Sequence, residues 1–490
     1  MKAQIYRTLF SAALTLAFLF TSGCKKFVEV DTPPTRVSSE NVYNDPDNAT
    51  AVLTGLFARL SSSFSNGGIV QFAALTELSA DNSILFDVNS NEEYRRYFHN
   101  NVNPLSNSGY WVAGYNLLYT INDAIIKLGN NTILNFDLKN RLLGEAYFLR
   151  AFDYFYMVNL YGDVPLVLTT RPQENAMLPR SPSAAVYGQI SNDLQKAEEL
   201  LNINYVSGNG ISTTSERTRP NLAAVFALQA RVFLYKKEYA AAEVAATKVI
   251  NQTALYNFAP LGQVFLKNSK ETIWALQSVT AGRNTYAGFL YPLTSAGPNG
   301  NDKPFYLSQS LIEAFEPGDV RKVNWIASVT VGAHTYNYAN KYRKSFDASV
   351  TQPGQITEYD IMLRLAEQYL IRAEARNEQG NSAAAVQDLN ALRTRSRDVT
   401  SVTLPNPLPN LPNTLSQADV RIAVLKERRV ELFTEGGHRW LDIKRSANRD
   451  AIMATADASK GSIWEGYKAL YPIPTSDILQ NPALKQNTGY

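Results

Sequence analysis

A segment of this chain repeats itself, and that fact narrows the possible folds more than any other. Ala227–Val249 and Leu370–Leu392 align without a gap at an offset of 143 residues. Ala230 falls on Ala373, and Ala240–Ala242 fall on Ala383–Ala385, with a short polar turn before each alanine run. Small side chains where two helices cross let the backbones approach closely. Two helices of roughly 15 residues joined by a tight turn form the tetratricopeptide pattern. Two unrelated helical hairpins would share the alanine content; the matching turn position favours a repeat. Such helix pairs cannot bury their apolar faces alone and must stack on neighbours. The stretches around 110–160 and 183–235 carry helical periodicity and can supply them.

The periodicity predicts helices from near Asp47 through Leu60, from Tyr110 to Leu128, and from Lys139 to Tyr161, where Gly162 and Pro165 end the last one. Ser181-Pro182-Ser183 opens another helix, running to Leu201. Further helices are expected at Asn221–Lys236, Tyr239–Asn251, Tyr359–Gln379, Ser382–Arg397 and Gln417–Glu435. Between them, 61–108 and 252–355 lack helical rhythm beyond Phe72–Leu78. Val264–Leu266 and Thr272–Leu276 read as short strands. Long irregular stretches in a compact protein are usually functional or disordered. The expected fold is mainly α, with tetratricopeptide-like repeats packed against an irregular, loop-rich half that holds a few short strands. The scaffold should span about 110–251 and 359–445, and the ligand-facing segments about 61–108 and 252–355.

The amino terminus points outside the cell. Lys2 and Arg7 precede an apolar run from Leu9 to Phe20, followed by Thr21, Ser22, Gly23 and the single cysteine of the 490 residues, Cys24. Twelve residues are too few for a membrane-spanning helix, which needs roughly 18 or more, but they suit a secretory signal. A lone cysteine in an exported chain implies an intermolecular bridge, a reactive thiol or a modification. Its position resembles the lipobox of bacterial lipoproteins, although Thr21 stands where that pattern prefers Leu. The resemblance implies cleavage after Gly23, acylation at Cys24 and a tether over 24–46 leading to one domain at 47–490. Several acyl chains anchor a protein firmly without spanning the bilayer.

Formal charge is +3, including Lys2 and Arg7. There is no basic excess suited to nucleic acid. The chain holds no G-x-S-x-G, G-x-x-x-x-G-K-[ST], H-E-x-x-H or C-x-x-C, and its three histidines, His99, His334 and His438, are scattered. No cofactor, metal site or catalytic group is expected. Glu427, Glu431 and Glu435 stand four apart on one helix with Arg428 and Arg429 among them, which reads as a salt-bridged face. Arg429 shares helical spacing with Ile422, Leu425 and Leu432, so a buried carboxylate partner is expected, with Glu374 and Asp442 as candidates. Trp111 falls on an apolar stripe and reads as core.

Several blocks resemble the SusD/RagB family of surface nutrient-binding lipoproteins. They are Cys24-Lys25-Lys26-Phe27 with Asp31-Thr32-Pro33-Pro34; Arg141 through Phe155, closed by Tyr161-Gly162-Asp163-Val164-Pro165-Leu166; and Tyr369 through Ala375. Glu427 through Leu432 with Glu435 through Asp442 follows, and Tyr471-Pro472-Ile473-Pro474 with Gln486 through Tyr490 ends the series. A second glycine at 436–437 departs slightly from the family's Glu-Gly-His pattern. The resemblance implies four tetratricopeptide-like units, a place on the outer membrane, and delivery of a captured glycan or similar nutrient to a SusC-like TonB-dependent barrel, without covalent chemistry. A glycan-cleaving lipoprotein and a protein-binding adaptor are the alternatives.

These blocks are scaffold and do not locate the ligand. Sugars are held by aromatic faces and by hydrogen bonds from Asn, Asp and Arg. That mix occurs at Asp81, Asn82, Tyr94 and Arg95, and again at Arg283, Asn284, Tyr286, Tyr291, Asn301 and Tyr306. These ten residues are the expected ligand contacts.

Overall fold

The computed structural model describes residues 41–62, 68–105 and 109–490. Cys24, the signal and most of the tether lie outside them. No described helix is long and apolar enough to cross a membrane.

The repeat is present in register. Helices Leu222–Tyr235 and Leu365–Glu378 begin 143 residues apart, and their partners are Tyr239–Ile250 and Ser382–Arg395. The turn between each pair needs one left-handed residue. Gly380 supplies it in the second pair (φ 84°) and Lys237 in the first (φ 62°), where a side chain makes that conformation less favourable. Ala230, Ala373, Ala242 and Ala385 are fully buried. A small apolar cluster of Ala230, Leu234, Ala242, Ala246, Ile371 and Ala375 joins the two pairs.

The stack extends both ways. Helix Gly109–Gly129 packs on Phe136–Tyr161, which packs on Ser183–Leu200, which packs on Leu222–Tyr235. Beyond the second pair, Gln417–Leu432 lies against Leu365–Glu378. The result is a continuous stack of packed helices. Helix Phe136–Tyr161 ends at Gly162 (φ 74°), whose amide donates to the Val158 carbonyl. Ser183 opens the next helix with both its amide and its hydroxyl bonded to Asp163, each at 2.7 Å.

The other half departs from expectation in instructive ways. The stretch expected to be irregular near 61–108 contains helix Ile69–Ser79, buried on every side, and so without a polar face to give it a readable rhythm. Helix Glu92–Phe98 follows it. Thr272–Leu276 is a strand as expected, paired antiparallel with Asp360–Arg364. That pairing takes the first residues of the helix expected from Tyr359, which instead starts at Leu365. Leu266 forms only an isolated bridge with Glu358, and Val264–Leu266 is not a strand. A hairpin, Ile326–Val331 with His334–Ala339, turns at Gly332 and went unanticipated.

Helix Gln417–Leu432 buries Val420, Val424, Glu427, Arg428 and Glu431, while Ile422 is 65% exposed. Arg429 therefore lies beside the buried face, and neither expected partner meets it. Arg428 takes Asp442 at 2.7 Å, Arg445 takes Glu374, and Arg429 pairs with Asp81 at 3.2 Å. The three glutamates are salt-bridged, as expected, and the pairs form a buried network. Glu431 receives Arg321 (2.8 Å), Arg364 (2.6 Å) and Arg395 (2.6 Å); Glu427 receives Arg321 (2.6 Å); Glu435 receives Arg364 (2.7 Å) and Lys341 (2.5 Å). Burial alone would raise the Glu431 carboxyl, but the guanidiniums of Arg395, Arg364 and Arg321 outweigh it and hold that carboxyl well below its usual range.

Candidate functional site

The two aromatic and amide-rich segments singled out in the sequence meet. Ser83–Leu85 pairs antiparallel with Phe305–Leu307, placing Ile84 opposite Tyr306 and Leu85 opposite Phe305. Alternation along a strand then separates two faces. Leu85, Phe305 and Leu307 are buried, whereas Ile84 and Tyr306 reach the surface. The ladder is clamped at its end by the Phe86 amide, which donates to the Pro304 carbonyl at 2.8 Å.

The 326–339 hairpin completes an aromatic platform. The Tyr336 ring stands edge-on to Tyr306 at 5.3 Å and to Phe86 at 5.8 Å. Phe86 is 43% exposed. Tyr338 and His334 alternate with Tyr336 on the same face of the hairpin. Gly297 lets a neighbouring turn close over it: a Cβ there would lie 2.8 Å from the Val331 side chain.

Polar groups border the rings. Asn299 shapes one loop by accepting the amides of Asn301 (2.9 Å) and Asp302 (2.8 Å) through its side-chain oxygen. Gly300 packs that loop on the 87–90 turn; a Cβ would stand 2.5 Å from Ser90 and 3.4 Å from the Asp87 carboxylate. Asn301, Asn89 and Ser90 are exposed around it. Edge-on rings backed by a buried apolar layer and rimmed by amides, hydroxyls and carboxylates can stack on the C–H face of a sugar while its hydroxyls are bonded at the margin.

The expected contacts divide into three groups. Asn301 and Tyr306 belong to the platform. Beneath it, Tyr94 packs edge-on against Phe305 with ring centroids 5.0 Å apart, and its hydroxyl bonds that of Tyr286. Tyr291 lies 6.3 Å from Phe305, and Tyr286 and Tyr291 are both buried. The Tyr286 amide donates to Asp360 (3.0 Å), whose carboxyl burial pushes up to about 7. Arg283 lies over the Phe289 ring at 4.1 Å. Asn284 is buried and accepts from the Thr357 amide at 2.7 Å.

A second group is a buttress. The Asp81 carboxylate takes both forks of Arg439 (2.6 and 2.7 Å) besides Arg429. Burial would raise its pKa, but Arg439 and Arg429 bring it down to about 2. Asn82 is buried, accepts from Arg429 Nε at 2.9 Å, and lends its carbonyl to the Ser308 amide. Asp81 and Asn82 thus fasten the ladder to Arg429 of helix Gln417–Leu432 and to Arg439 just beyond it. Arg95 is third and separate: it opens on a different polar cleft with Arg96, His99, Tyr467 and Lys468.

Phe86, Tyr336, Tyr338 and His334 were missed by sequence reasoning. The signal was there: His334-Thr335-Tyr336-Asn337-Tyr338 alternates with period two directly after Gly332.

Stacked helical hairpins that carry an aromatic, amide-rimmed surface define the chain as a helical-repeat protein with a candidate binding platform. Comparison with known proteins gives the family. The model described as "SusD family" matches residues 324–490, and one described as "Starch-binding associating with outer membrane" matches 37–234. The chain belongs to the SusD/RagB family. SusD-like protein P38 of Formosa agariphila is 25% identical, covering 98% of this chain and 99% of the relative; SusD-like protein P2 of the same organism is 26% identical over 78% and 80%. Among solved structures, a SusD homolog from Bacteroides thetaiotaomicron superposes with a TM-score of 0.76 at 19% identity, over 93% of this chain and 99% of that one. The surface glycan-binding protein A of Bacteroides fluxus gives 0.71 at 20%, over 93% and 100%. Residues 281–306 fall between the two matched ranges.

Proposed function

We propose that this chain is a cell-surface lipoprotein that binds a glycan, or a similar nutrient, on the Phe86–Tyr306–Tyr336 platform and passes it to a SusC-like TonB-dependent transporter in the outer membrane. The observation that carries the glycan reading is the platform itself: three converging rings, partly open to solvent, beside Asn301, Asn89 and Asp87. The description of the 37–234 family model, with its starch binding and outer-membrane association, supports it. So does the fold shared with the Bacteroides fluxus protein, which is named for binding surface glycan. Acylation at Cys24 would hold the domain outside the cell. Binding alone is assigned, with no bond made or broken.

A Cys24→Ala form, purified without detergent, tests this by titration against a broad polysaccharide panel. At least one glycan should bind, and Tyr306→Ala with Tyr336→Ala should weaken it about tenfold or more, as loss of stacked rings does. Retained affinity in that double variant would move the site elsewhere, and depolymerisation of the glycan would replace binding with catalysis.

A further inference from the structure

Buried charge in this chain is normally answered. Arg150, Arg231, Arg321, Arg364 and Arg428 are buried and each meets a carboxylate. Buried Lys460 spends its three N–H bonds on the Leu78, Ser79 and Ala80 carbonyls. An ammonium has three donors to satisfy, and a buried charge left without partners is costly.

Two cations beside the platform break this pattern. Lys303 is 6% exposed and reaches only the Phe289 carbonyl and the Ser345 hydroxyl (3.2 Å), which leaves its third N–H open. Burial pulls its ammonium below the usual value, opposed by Asp302. The half-buried Arg283 donates from its guanidinium to no acceptor among the described residues, and its Nε is buried without a partner. Both cations lie over one ring, Arg283 at 4.1 Å and Lys303 at 5.4 Å from the centre of Phe289. The ring attracts each of them but supplies no counter-charge. Asp302 and Asp360 act only from beyond ion-pairing distance, and Asp347 is turned onto the Ser349 amide (2.9 Å) and hydroxyl (2.6 Å).

An exposed ring joins the pair. Gly282 takes φ 78°, and a Cβ there would strike the Phe346 ring. The backbone is stitched at this point: the Asp347 amide donates to the Gly282 carbonyl and the Gly282 amide to the Val350 carbonyl, each at 2.8 Å. Phe346 therefore rests on the residue before Arg283 and follows the Ser345 that meets Lys303, and it is 57% exposed. The Lys303 carbonyl accepts the Asn299 amide at 2.9 Å, so this cluster borders the Asn301 loop of the platform.

We propose that Arg283, Lys303 and Phe346 form a subsite for an anionic sugar, so that the glycan captured by this chain carries carboxylate or sulfate groups; the assignment rests on the functional reading above. The acid group takes the open Lys303 N–H and the Arg283 guanidinium, whose forked donors suit oxyanions. The C–H face of the sugar lies on Phe346. A neutral glycan would leave both cations unanswered.

The test titrates the Cys24→Ala protein with uronate polymers (polygalacturonate, alginate), sulfated polymers (carrageenan, porphyran) and neutral ones (starch, laminarin, xylan). An acidic polymer should bind tightest, and the set it belongs to identifies the group as carboxylate or sulfate. Its affinity should fall as NaCl is raised. Arg283→Gln with Lys303→Met should weaken that binding about tenfold or more and flatten its salt dependence. Arg283→Gln alone, at a guanidinium without a protein acceptor, should show a smaller loss in the same direction and keeps the test readable if Lys303→Met does not fold. Lys322→Gln with Lys485→Gln, which removes two exposed cations elsewhere, should leave affinity within twofold. Undiminished affinity in both Arg283 variants, or an equal loss in the Lys322 and Lys485 control, would overturn the subsite. Binding of neutral polymers only would overturn it and leave the platform reading intact, whereas binding of no glycan would defeat the platform reading itself.

Discussion

The repeat half and the platform half are held together by opposite means. In the repeats, buried alanines at helix crossings and clean apolar clusters fix the geometry. In the platform, strands three residues long and edge-on rings would be marginal alone. The seam between them is charged. Arg321, Lys341, Arg364 and Glu271 from the loop-rich half meet Glu427, Glu431, Glu435 and Arg395 from the repeats, and Asp81 meets Arg429 and Arg439. The contrast teaches that apolar packing sets the scaffold, while directional ion pairs set where the platform sits on it.

The largest effect should come from the seam. Removing one partner of a buried ionic network leaves charges uncompensated, at a cost of about 3–5 kcal/mol. Glu431→Gln should lower the urea midpoint accordingly; an unchanged midpoint would mean the seam contributes nothing and would break the comparison. Next is overpacking in the repeats. Ala373→Leu at a fully buried crossing should destabilise by about 1–3 kcal/mol with glycan affinity preserved in the folded fraction, whereas a parallel affinity loss would show that the halves are not separable.

A smaller effect is set by pH. Asp81 has its pKa lowered to about 2 in the fold, so its pairing stabilises above the unfolded value near 4 and is lost as pH falls through about 2. Thermal melts should show Asp81→Asn weaker than the parent by about 2 kcal/mol at pH 6 and within about 0.5 kcal/mol of it at pH 2. A gap that persists at pH 2 would assign Asp81 a role other than charge pairing. The smallest stability effect is expected on the platform. Phe86→Ala removes a half-exposed ring and should cost under about 1 kcal/mol while weakening glycan binding.

What the sequence revealed follows the same division. The repeat was legible because both copies keep their turn and alanine positions, so a single offset located four helices. The face of helix Gln417–Leu432 was misjudged by one position. Its buried side carries Glu427, Arg428 and Glu431, which look like surface residues, while Ile422, which looks like core, is exposed. Helix Ile69–Ser79 was hidden because a helix buried all round has no periodic contrast. At the platform, amide and aromatic content picked out the two segments that pair, and Asn301 and Tyr306 lie there. Composition could not separate a ring that faces solvent from one that supports it, so Tyr286 and Tyr291 were singled out and Phe86 was not. That distinction depends on strand register, which long-range pairing decides.

The central claim is that ligand is held on the aromatic platform that the charged seam positions. A crystal structure of the Cys24→Ala protein with a glycan identified by titration tests it most directly. A sugar ring is expected against Phe86, Tyr306 or Tyr336, with hydroxyls bonded near Asn301 and Asp87. Density for the glycan in the cleft beside Arg95, or between Tyr119 and Gln480, with the platform empty, would contradict it.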